Sequence, residues 1–242
     1  MELAAWTPYV AAMLAYHNGA RDATIVVYDD YERDEAPIGY FYREPADFPL
    51  LECRALELCR GRVLDIGAGS GCHALALQQR GLAVTAIEVA PELVEILRAR
   101  GVRDARLATW MDFEAEPYDT VFIMMNGVGL AETLPGLRPF LRRLRTLIRS
   151  DGQVLADSTD VGVYLDPEAG RTGRLERPDG RYLGELHFQL EFEGRKGAPF
   201  SQLYVDPGTL SRHAAAEGWD CEILLPPDEY GHYLVRLAPK TP

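Results

Sequence analysis

The sequence predicts an α/β protein with a seven-stranded, mainly parallel sheet and helices on both of its faces. Three observations support this fold class. Strand-like and helical segments alternate from Leu51 to Asp157. The strand segments are continuously apolar, as in sheets that are covered on both faces. The chain then ends in a strand, a Pro226-Pro227 turn and a last strand, His232–Leu237, which we expect to run antiparallel because the turn leaves no room for a crossover helix.

The first fifty residues contain one amphipathic stretch and two extended segments. The amphipathic stretch covers Trp6–Tyr16, and short strands are predicted over Thr24–Tyr28 and Ile38–Tyr42. Asn18-Gly19 and Pro37 bound these segments, because glycine and proline interrupt regular structure. This region precedes the alternating pattern, so we predict an N-terminal cap segment, residues 1–50.

The central part of the chain carries the alternating elements. Gly81 and Gly101 follow two predicted helices and Pro91 opens another, which matches the preferences of helix ends. The predicted helices are Leu51–Cys59, Cys72–Arg80, Pro91–Ala99 and Leu134–Arg149, and the predicted strands are Arg62–Ile66, Ala83–Glu88, Ala105–Ala108, Thr120–Met125 and Gln153–Asp157. These elements predict a cofactor-binding core, residues 51–160.

The last third of the chain does not continue this alternation of strands and helices. Residues 183–205 alternate apolar and polar side chains on both sides of Gly194–Gly197, the signature of an antiparallel hairpin. An isolated hairpin is marginal in water, so we expect this hairpin to join the N-terminal strands in a small antiparallel lid; a dimerisation surface is the alternative. The lid region is predicted over residues 161–207. Helix Thr209–Glu217 and strand Asp220–Leu225 follow, so residues 208–242 are predicted to complete the core.

The charge of the chain bears on its partners. The formal net charge is −12, and Lys196 and Lys240 are its two lysines. Proteins that bind nucleic acid need clustered basic residues to neutralise phosphates, so a nucleic acid partner is not expected. The arginines of Arg138–Arg149 are interpreted as a solvated helix face. A neutral or cationic small molecule suits the acidic field better.

The sequence also predicts a cytoplasmic protein that contacts no membrane. It contains no apolar run of the roughly 18 residues that span a bilayer, and its N-terminus lacks the layout of a signal peptide. The four cysteines have no metal-ligand spacing, so no metal is predicted. A helix N-terminus can activate a thiol such as Cys72, but the sequence fixes no histidine partner for it.

Three closely spaced glycines, Gly67, Gly69 and Gly71, separate a predicted strand from a helix. Such a loop lies at the carboxyl edge of a parallel sheet, where ligands bind, and lets a ligand approach the backbone. The same residues fit the dinucleotide pattern G-x-G-x-x-A, with Glu88 near the expected distance for a ribose-binding acid. Three features favour another cofactor: Asp65 can face a cationic amine, the chain ends in an antiparallel strand, and no Tyr-x-x-x-Lys pair is present.

Four segments carry a resemblance to a known family. They are VLDIGAGSG, VTAIEVAP, PYDTVFIMMNGVG and RSDGQVLADS. From about Leu51 to Leu237 the sequence resembles the class I S-adenosylmethionine-dependent methyltransferases. The resemblance implies a Rossmann-like fold, S-adenosyl-L-methionine as the cofactor, and transfer of its methyl group to a small molecule. Nicotinamide-dependent oxidoreductases and non-catalytic S-adenosylmethionine-binding subunits are the alternatives.

The resemblance also implies roles for individual residues. Asp65 binds the amino group of the cofactor, the glycine loop holds its methionine and ribose portions, and Glu88 accepts the two ribose hydroxyls. Met111 and Asp112 correspond to the adenine contact, although Trp110 and Met111 stand where a shorter polar segment is common. The implied cofactor-binding residues are Asp65, Gly67, Ala68, Gly69, Gly71, Glu88, Val89, Met111, Asp112 and Asn126.

Catalytic and substrate-binding residues are predicted less directly. The sulfonium already activates the methyl group, so the protein mainly aligns an acceptor in line and excludes water. Asp157, Asp160 and Tyr164 are candidate bases, and none is assigned. The candidate substrate contacts are Tyr28, Tyr42, Arg43, His73 and Tyr204. If the predicted lid is instead a dimerisation surface, we expect a homodimer.

Overall fold

The structure is a computed structural model that describes residues 3–163 and 180–240. The helices in these ranges are α1 Leu3–His17, α2 Leu50–Leu58, α3 Cys72–Gln79, α4 Pro91–Ala99, α5 Leu134–Leu147 and α6 Pro207–Ala216. The strands are β1 Thr24–Tyr28, β2 Arg33–Pro37, β3 Arg62–Ile66, β4 Ala83–Glu88, β5 Asp104–Leu107, β6 Tyr118–Ile123, β7 Ile148–Thr159, β8 Glu185–Phe192, β9 Arg195–Lys196, β10 Phe200–Leu203, β11 Trp219–Leu225 and β12 His232–Pro239. Within the described residues, no helix combines the length and apolar character needed to cross a membrane.

Seven strands form one mixed sheet in the order β11-β12-β7-β6-β3-β4-β5. The pairs β3–β4, β4–β5 and β6–β7 are parallel. Strand β12 runs antiparallel to both of its neighbours, β7 and β11. The predicted fold class and the predicted antiparallel last strand are therefore confirmed.

The helices begin and end where local chemistry favours it. Helix α5 is capped by Thr133, whose side chain accepts a hydrogen bond from the Gly136 amide at 3.2 Å. Helix α6 is capped in the same way by Asp206, which accepts from the Thr209 amide at 2.8 Å. These caps satisfy amides that have no partner within the helix. Gly101 follows α4 with a φ of 101°, as predicted for a residue just past a helix.

The described residues divide into two compact units. The first contains residues 3–56, 60–114 and 187–200, and it includes the glycine loop between β3 and α3. The second contains residues 57–59, 115–163, 180–186 and 201–240, and it includes β6, β7 and the two C-terminal strands.

A second, antiparallel sheet has the order β10-β8-β1-β2, with β9 paired to β8. Strand β1 pairs with β8 through Val27 and Leu190. Glu193 and Gly194, with φ values of 49° and 75°, form the turn between β8 and β9. The predicted union of the hairpin with an N-terminal strand is therefore confirmed. Residues 164–179, which belong to the predicted lid region, lie outside the described part of the chain.

The predicted strand Ile38–Tyr42 is wrong. These residues form a 3₁₀ helix, and the strand that pairs with β1 is the charged segment Arg33–Pro37. A strand would point successive side chains to opposite faces. The 3₁₀ helix instead lets both rings contact α1: Phe41 packs on Tyr9 at 5.2 Å between centroids, and the Tyr42 hydroxyl donates to the Met13 carbonyl at 3.0 Å.

An apolar cluster in the first unit joins the second sheet to α1 and α4. Its buried members are Val10, Ala12, Met13, Ile25, Ile38, Ala90, Leu93, Ile96 and Leu190. Ile25 comes from β1 and Leu190 from β8, so the two paired strands bury the same face. Burial of these side chains stabilises the N-terminal elements beside the loop that follows β4.

Candidate functional site

The glycine loop links β3 to α3 and has the backbone conformation that its sequence predicts. Gly67, Gly69 and Gly71 have φ values of 72°, 57° and 84°, a region that residues with a Cβ rarely adopt. A Cβ added at Gly71 would lie 2.7 Å from Leu97 Cδ2, so this glycine is also required for packing. A Cβ added at Gly67 would meet no atom within 4 Å. Gly67 therefore borders open space that a ligand can occupy.

Asp65, at the end of β3, is a buried carboxylate with an unused oxygen. Asp65 is 2% exposed, and its Oδ2 has no hydrogen-bond partner among the described residues. Burial raises the pKa of Asp65 to about 6, and the nearby His73 acts in the opposite direction. A buried carboxylate oxygen without a donor is costly. A cationic amine fits this position, which is the group that the sequence analysis assigned to it.

Glu88, at the end of the neighbouring strand β4, is buried beside the loop. Its Oε1 accepts from the Gly69 amide at 2.6 Å and its Oε2 accepts from the Val89 amide at 3.0 Å. Burial raises the pKa of Glu88 to about 7; the two amides lower it, and the charge of Asp65 raises it. The carboxylates of Asp65 and Glu88 therefore form a buried acidic pair, which attracts a cation and provides acceptors for hydroxyl groups.

Tyr9 of α1 is a site residue that the sequence analysis missed. Its hydroxyl lies 3.3 Å from the position of a Cβ on Gly69. Burial, followed by the charge of Glu88, raises the pKa of Tyr9 well above its usual value. Helix α1 thus places a neutral phenol against the glycine loop. The aromatic residues of the Trp6–Tyr16 stretch were a signal for packing, but nothing in their spacing pointed to this loop.

Arg43, Glu52 and His73 form a second group of buried charges, which we call the buried charge cluster. His73 Nε2 lies 2.7 Å from Glu52 Oε2, and Arg43 Nη2 donates to Glu52 Oε1. Burial alone lowers the pKa of His73, but its interactions with Cys72 and Glu52 outweigh burial and raise it to about 10. His73 is therefore cationic at neutral pH. Arg43 and His73 were predicted from the sequence, whereas Glu52, their shared partner, was not.

In the first unit, Asp112, Tyr28 and Tyr42 hydrogen-bond to residues other than Asp65 and Glu88. Met111 is 46% exposed, and Asp112 Oδ2 accepts from Thr109 Oγ1 at 3.1 Å. The Tyr28 hydroxyl donates to Glu191 at 2.9 Å. Tyr42 is held by α1, as described above. The predicted roles of these residues in adenine or substrate binding stay predictions.

Two predicted residues belong to the second unit. Asn126 follows β6, and its backbone amide donates to Asp157 Oδ2 at 2.9 Å. The Tyr204 amide donates to the Gly184 carbonyl at 2.7 Å. Of the candidate bases, Asp160 Oδ1 accepts from the Gly162 amide at 3.0 Å, and Tyr164 lies outside the described residues.

Comparison with known proteins identifies the family. A family model described as a methyltransferase domain matches residues 63–152. A crystal structure of an S-adenosylmethionine-dependent methyltransferase from Bacteroides fragilis, in complex with S-adenosyl-L-homocysteine, is 36% identical over 98% of this chain and 97% of that chain, with a TM-score of 0.84. The chain belongs to the S-adenosylmethionine-dependent methyltransferases. The predicted family and the predicted cofactor, S-adenosyl-L-methionine, are therefore confirmed.

Two further methyltransferases match this chain with lower identity or over fewer residues. The CcbJ methyltransferase from Streptomyces caelestis is 17% identical over 83% of this chain and 92% of that chain, with a TM-score of 0.61, which shows the fold alone. A ubiquinone biosynthesis O-methyltransferase from Xanthomonas euvesicatoria pv. vesicatoria is 33% identical over 107 residues. That match covers 41% of this chain and 43% of the relative, so less than half of that curated protein is represented here.

Proposed function

We propose that this methyltransferase binds S-adenosyl-L-methionine at the glycine loop and transfers its methyl group to a small molecule. The binding mode is supported by the buried Oδ2 of Asp65, which has no hydrogen-bond partner in the part of the chain that the structure describes. It suits the cationic amino group of the cofactor, and the carboxylate of Glu88 suits the ribose hydroxyls. The open space at Gly67 agrees with a ligand that lies on the loop backbone. Met111 and Asp112 are proposed beside the adenine, and Asn126 near the methionine portion.

The residues of this chain bind and orient the reactants. The bound cofactor supplies a methyl group that its sulfonium has already activated for transfer. The acidic pair would hold the methionine and ribose ends of the cofactor and so orient it for methyl transfer. Tyr9, packed against the loop with a raised pKa, stays protonated and covers part of the site from water. No residue is assigned as a general base.

The acceptor is proposed to be a neutral or cationic small molecule. The net charge of −12 supports this, since it disfavours polyanions such as nucleic acids and attracts cations. Because the match to the ubiquinone biosynthesis O-methyltransferase covers 43% of that relative, it does not identify the acceptor of this chain. A cytoplasmic location without a membrane partner also stays a proposal, based on the sequence.

The second sheet is proposed as the lid over the acceptor, with Tyr28, Tyr42, Arg43, His73 and Tyr204 as candidate contacts. The pairing of β1 with β8 and their shared apolar cluster support a single body that can cover a site. A dimerisation surface is the alternative use of this sheet. Analytical ultracentrifugation separates the two: a monomer at working concentrations favours the lid, and a dimer that Tyr28→Ala dissociates without loss of turnover contradicts it.

Calorimetry and a methyl-transfer assay test the proposed function. We expect the protein to bind S-adenosylhomocysteine but not NADH, and Asp65→Asn to weaken that binding. Asp104→Asn is the matched control, because Asp104 is an aspartate of strand β5 that pairs with Arg106 instead of facing the loop. Binding of NADH alone would favour an oxidoreductase. Binding without methyl transfer to any compound of a broad acceptor panel would favour a non-catalytic subunit.

A further inference from the structure

The loop that follows β6, residues 124–133, holds an unusual backbone conformation. Met125 and Asn126 have φ values of 67° and 59°, so two consecutive residues with side chains are left-handed. Such residues are unfavourable and persist where the surrounding structure holds them, often at functional sites. The loop follows the carboxyl end of a parallel strand, which is where ligands bind in sheets of this kind.

The carboxylate of Asp157 holds this conformation. Its Oδ2 accepts from the Asn126 amide at 2.9 Å, and its Oδ1 accepts from the Gly127 amide at 2.9 Å. Asp157 reaches them because β7 lies parallel to β6, with Ala156 opposite Ile123. Hydrogen bonds from amides to an ionised carboxylate are stronger than neutral ones. Two successive left-handed residues are thus fastened by one side chain from the next strand.

The carboxamide of Asn126 is held by strands β7 and β10. Its Oδ1 accepts from Ser158 Oγ at 3.3 Å, and its Nδ2 donates to the Leu203 carbonyl at 3.4 Å. A Cβ at Gly129 would lie 2.5 Å from Nδ2, and a Cβ at Gly127 would lie 2.8 Å from Ile123 Cγ2. The loop therefore fits this one conformation of Asn126.

We propose that Asp157 is a positioning residue, which locks Met125 and Asn126 in the left-handed conformation and so fixes the loop that follows β6 in the form that methyl transfer requires. This inference rests on the proposed function. It differs from a role as general base, for which Asp157 was a candidate, because both carboxylate oxygens accept backbone amides. A base acts on the acceptor, whereas a positioning residue acts through the loop.

Rescue by glycine separates the two roles. Asp157→Ala should lower kcat by about tenfold to a hundredfold, as small misplacements of reacting groups do. Adding Met125→Gly should recover part of the lost kcat, because glycine adopts the left-handed conformation without help. Asp119→Asn is the control: this β6 aspartate lies near Arg149, at 3.5 Å, and should leave kcat unchanged. A loss of kcat that Met125→Gly cannot recover, in a protein whose loop stays ordered, would identify a base and overturn the proposal.

Hydrogen exchange tests the positioning role even if no acceptor is found. The Asn126 and Gly127 amides should exchange slowly in the wild-type protein and in Asp119→Asn. They should exchange much faster in Asp157→Asn, which keeps the size of the side chain but loses its charge and one acceptor oxygen. Slow exchange of both amides in Asp157→Asn and Asp157→Ala would overturn the proposal. Failure to transfer methyl groups, with this exchange pattern intact, would count against the proposed function alone.

Discussion

Two groups of buried charges in the first unit differ in how they are compensated. In the buried charge cluster, Glu52 lies between the cations Arg43 and His73. In the acidic pair, the charge of Asp65 adds to burial in raising the pKa of Glu88, and one oxygen of Asp65 has no donor among the described residues. Buried charges with partners of opposite sign stabilise the fold, whereas buried charges of one sign without such partners indicate a ligand-binding site.

The two groups also titrate in different ranges. The pKa of His73 is raised to about 10, so His73 keeps its charge throughout the neutral range. The pKa values of Asp65 and Glu88 are raised to about 6 and about 7, so the acidic pair changes its charge near neutrality. We therefore expect substitution of Glu52 to lower the free energy of unfolding and substitution of Asp65 to raise it.

The largest effect is expected from Glu52→Gln. This change removes the anion between two buried cations, and breaking a buried ion pair from one side costs about 3–5 kcal/mol of unfolding free energy. Urea denaturation measures the difference. Glu57→Gln, at an exposed glutamate of the same helix, should cost at most about 1 kcal/mol. Equal effects of the two substitutions would mean that the cluster does not need its anion.

Asp65→Asn should have the opposite effect on stability. The variant removes a buried carboxylate whose Oδ2 has no hydrogen-bond donor among the described residues, so the free energy of unfolding at about pH 8 should rise by roughly 1–2 kcal/mol. The same change should weaken binding of S-adenosylhomocysteine by about 1.5–3 kcal/mol, because a charged hydrogen bond is lost. Denaturation and calorimetry on one preparation give both numbers. A variant that is less stable and binds normally would assign Asp65 to the structure.

The affinity for the cofactor product should fall in acid. Burial raises the pKa of Asp65 from 3.8 to about 6 and that of Glu88 from 4.5 to about 7. Folding therefore favours their protonated forms, and this contribution to stability, present below about pH 4, is lost as the pH rises through 6 and 7. Ligand binding favours the ionised forms. S-adenosylhomocysteine should bind about tenfold to a hundredfold more weakly at about pH 5.5 than at about pH 8. Calorimetry at both pH values measures this, and an affinity independent of pH would contradict it.

The smallest effect is expected from Arg43→Lys. The ammonium group keeps the charge opposite Glu52, but it loses the guanidinium contact with the Tyr40 ring, where the two centres are 3.7 Å apart. Loss of a partly desolvated cation–π contact costs about 1 kcal/mol. Urea denaturation should show this small decrease beside the larger one of Glu52→Gln. A decrease as large as that of Glu52→Gln would show that shape, more than charge, holds the cluster together.

The sequence predicted those elements of the site whose structure depends on residues that are close together in the chain. The observed bounds of β3, β4 and α4 are the predicted ones, because an apolar strand, a helix-opening proline and left-handed glycines act over a few residues. Glu52 was missed because a glutamate on a helix is usually exposed, and its two partners come from other elements. Tyr9 and the 3₁₀ helix Ile38–Tyr42 were missed for a related reason, since their conformations depend on contacts between α1 and distant segments.

The pairing of β1 with β8 also has a consequence for synthesis of the chain. Tyr28 and Glu191, which join these strands, are 163 residues apart in sequence. At 5–20 residues per second, a ribosome needs roughly 10–30 s to make that stretch. The β1–β2 hairpin alone is marginal in water during this interval. The β1–β2 hairpin is thus completed late, after the strands around the glycine loop have been made.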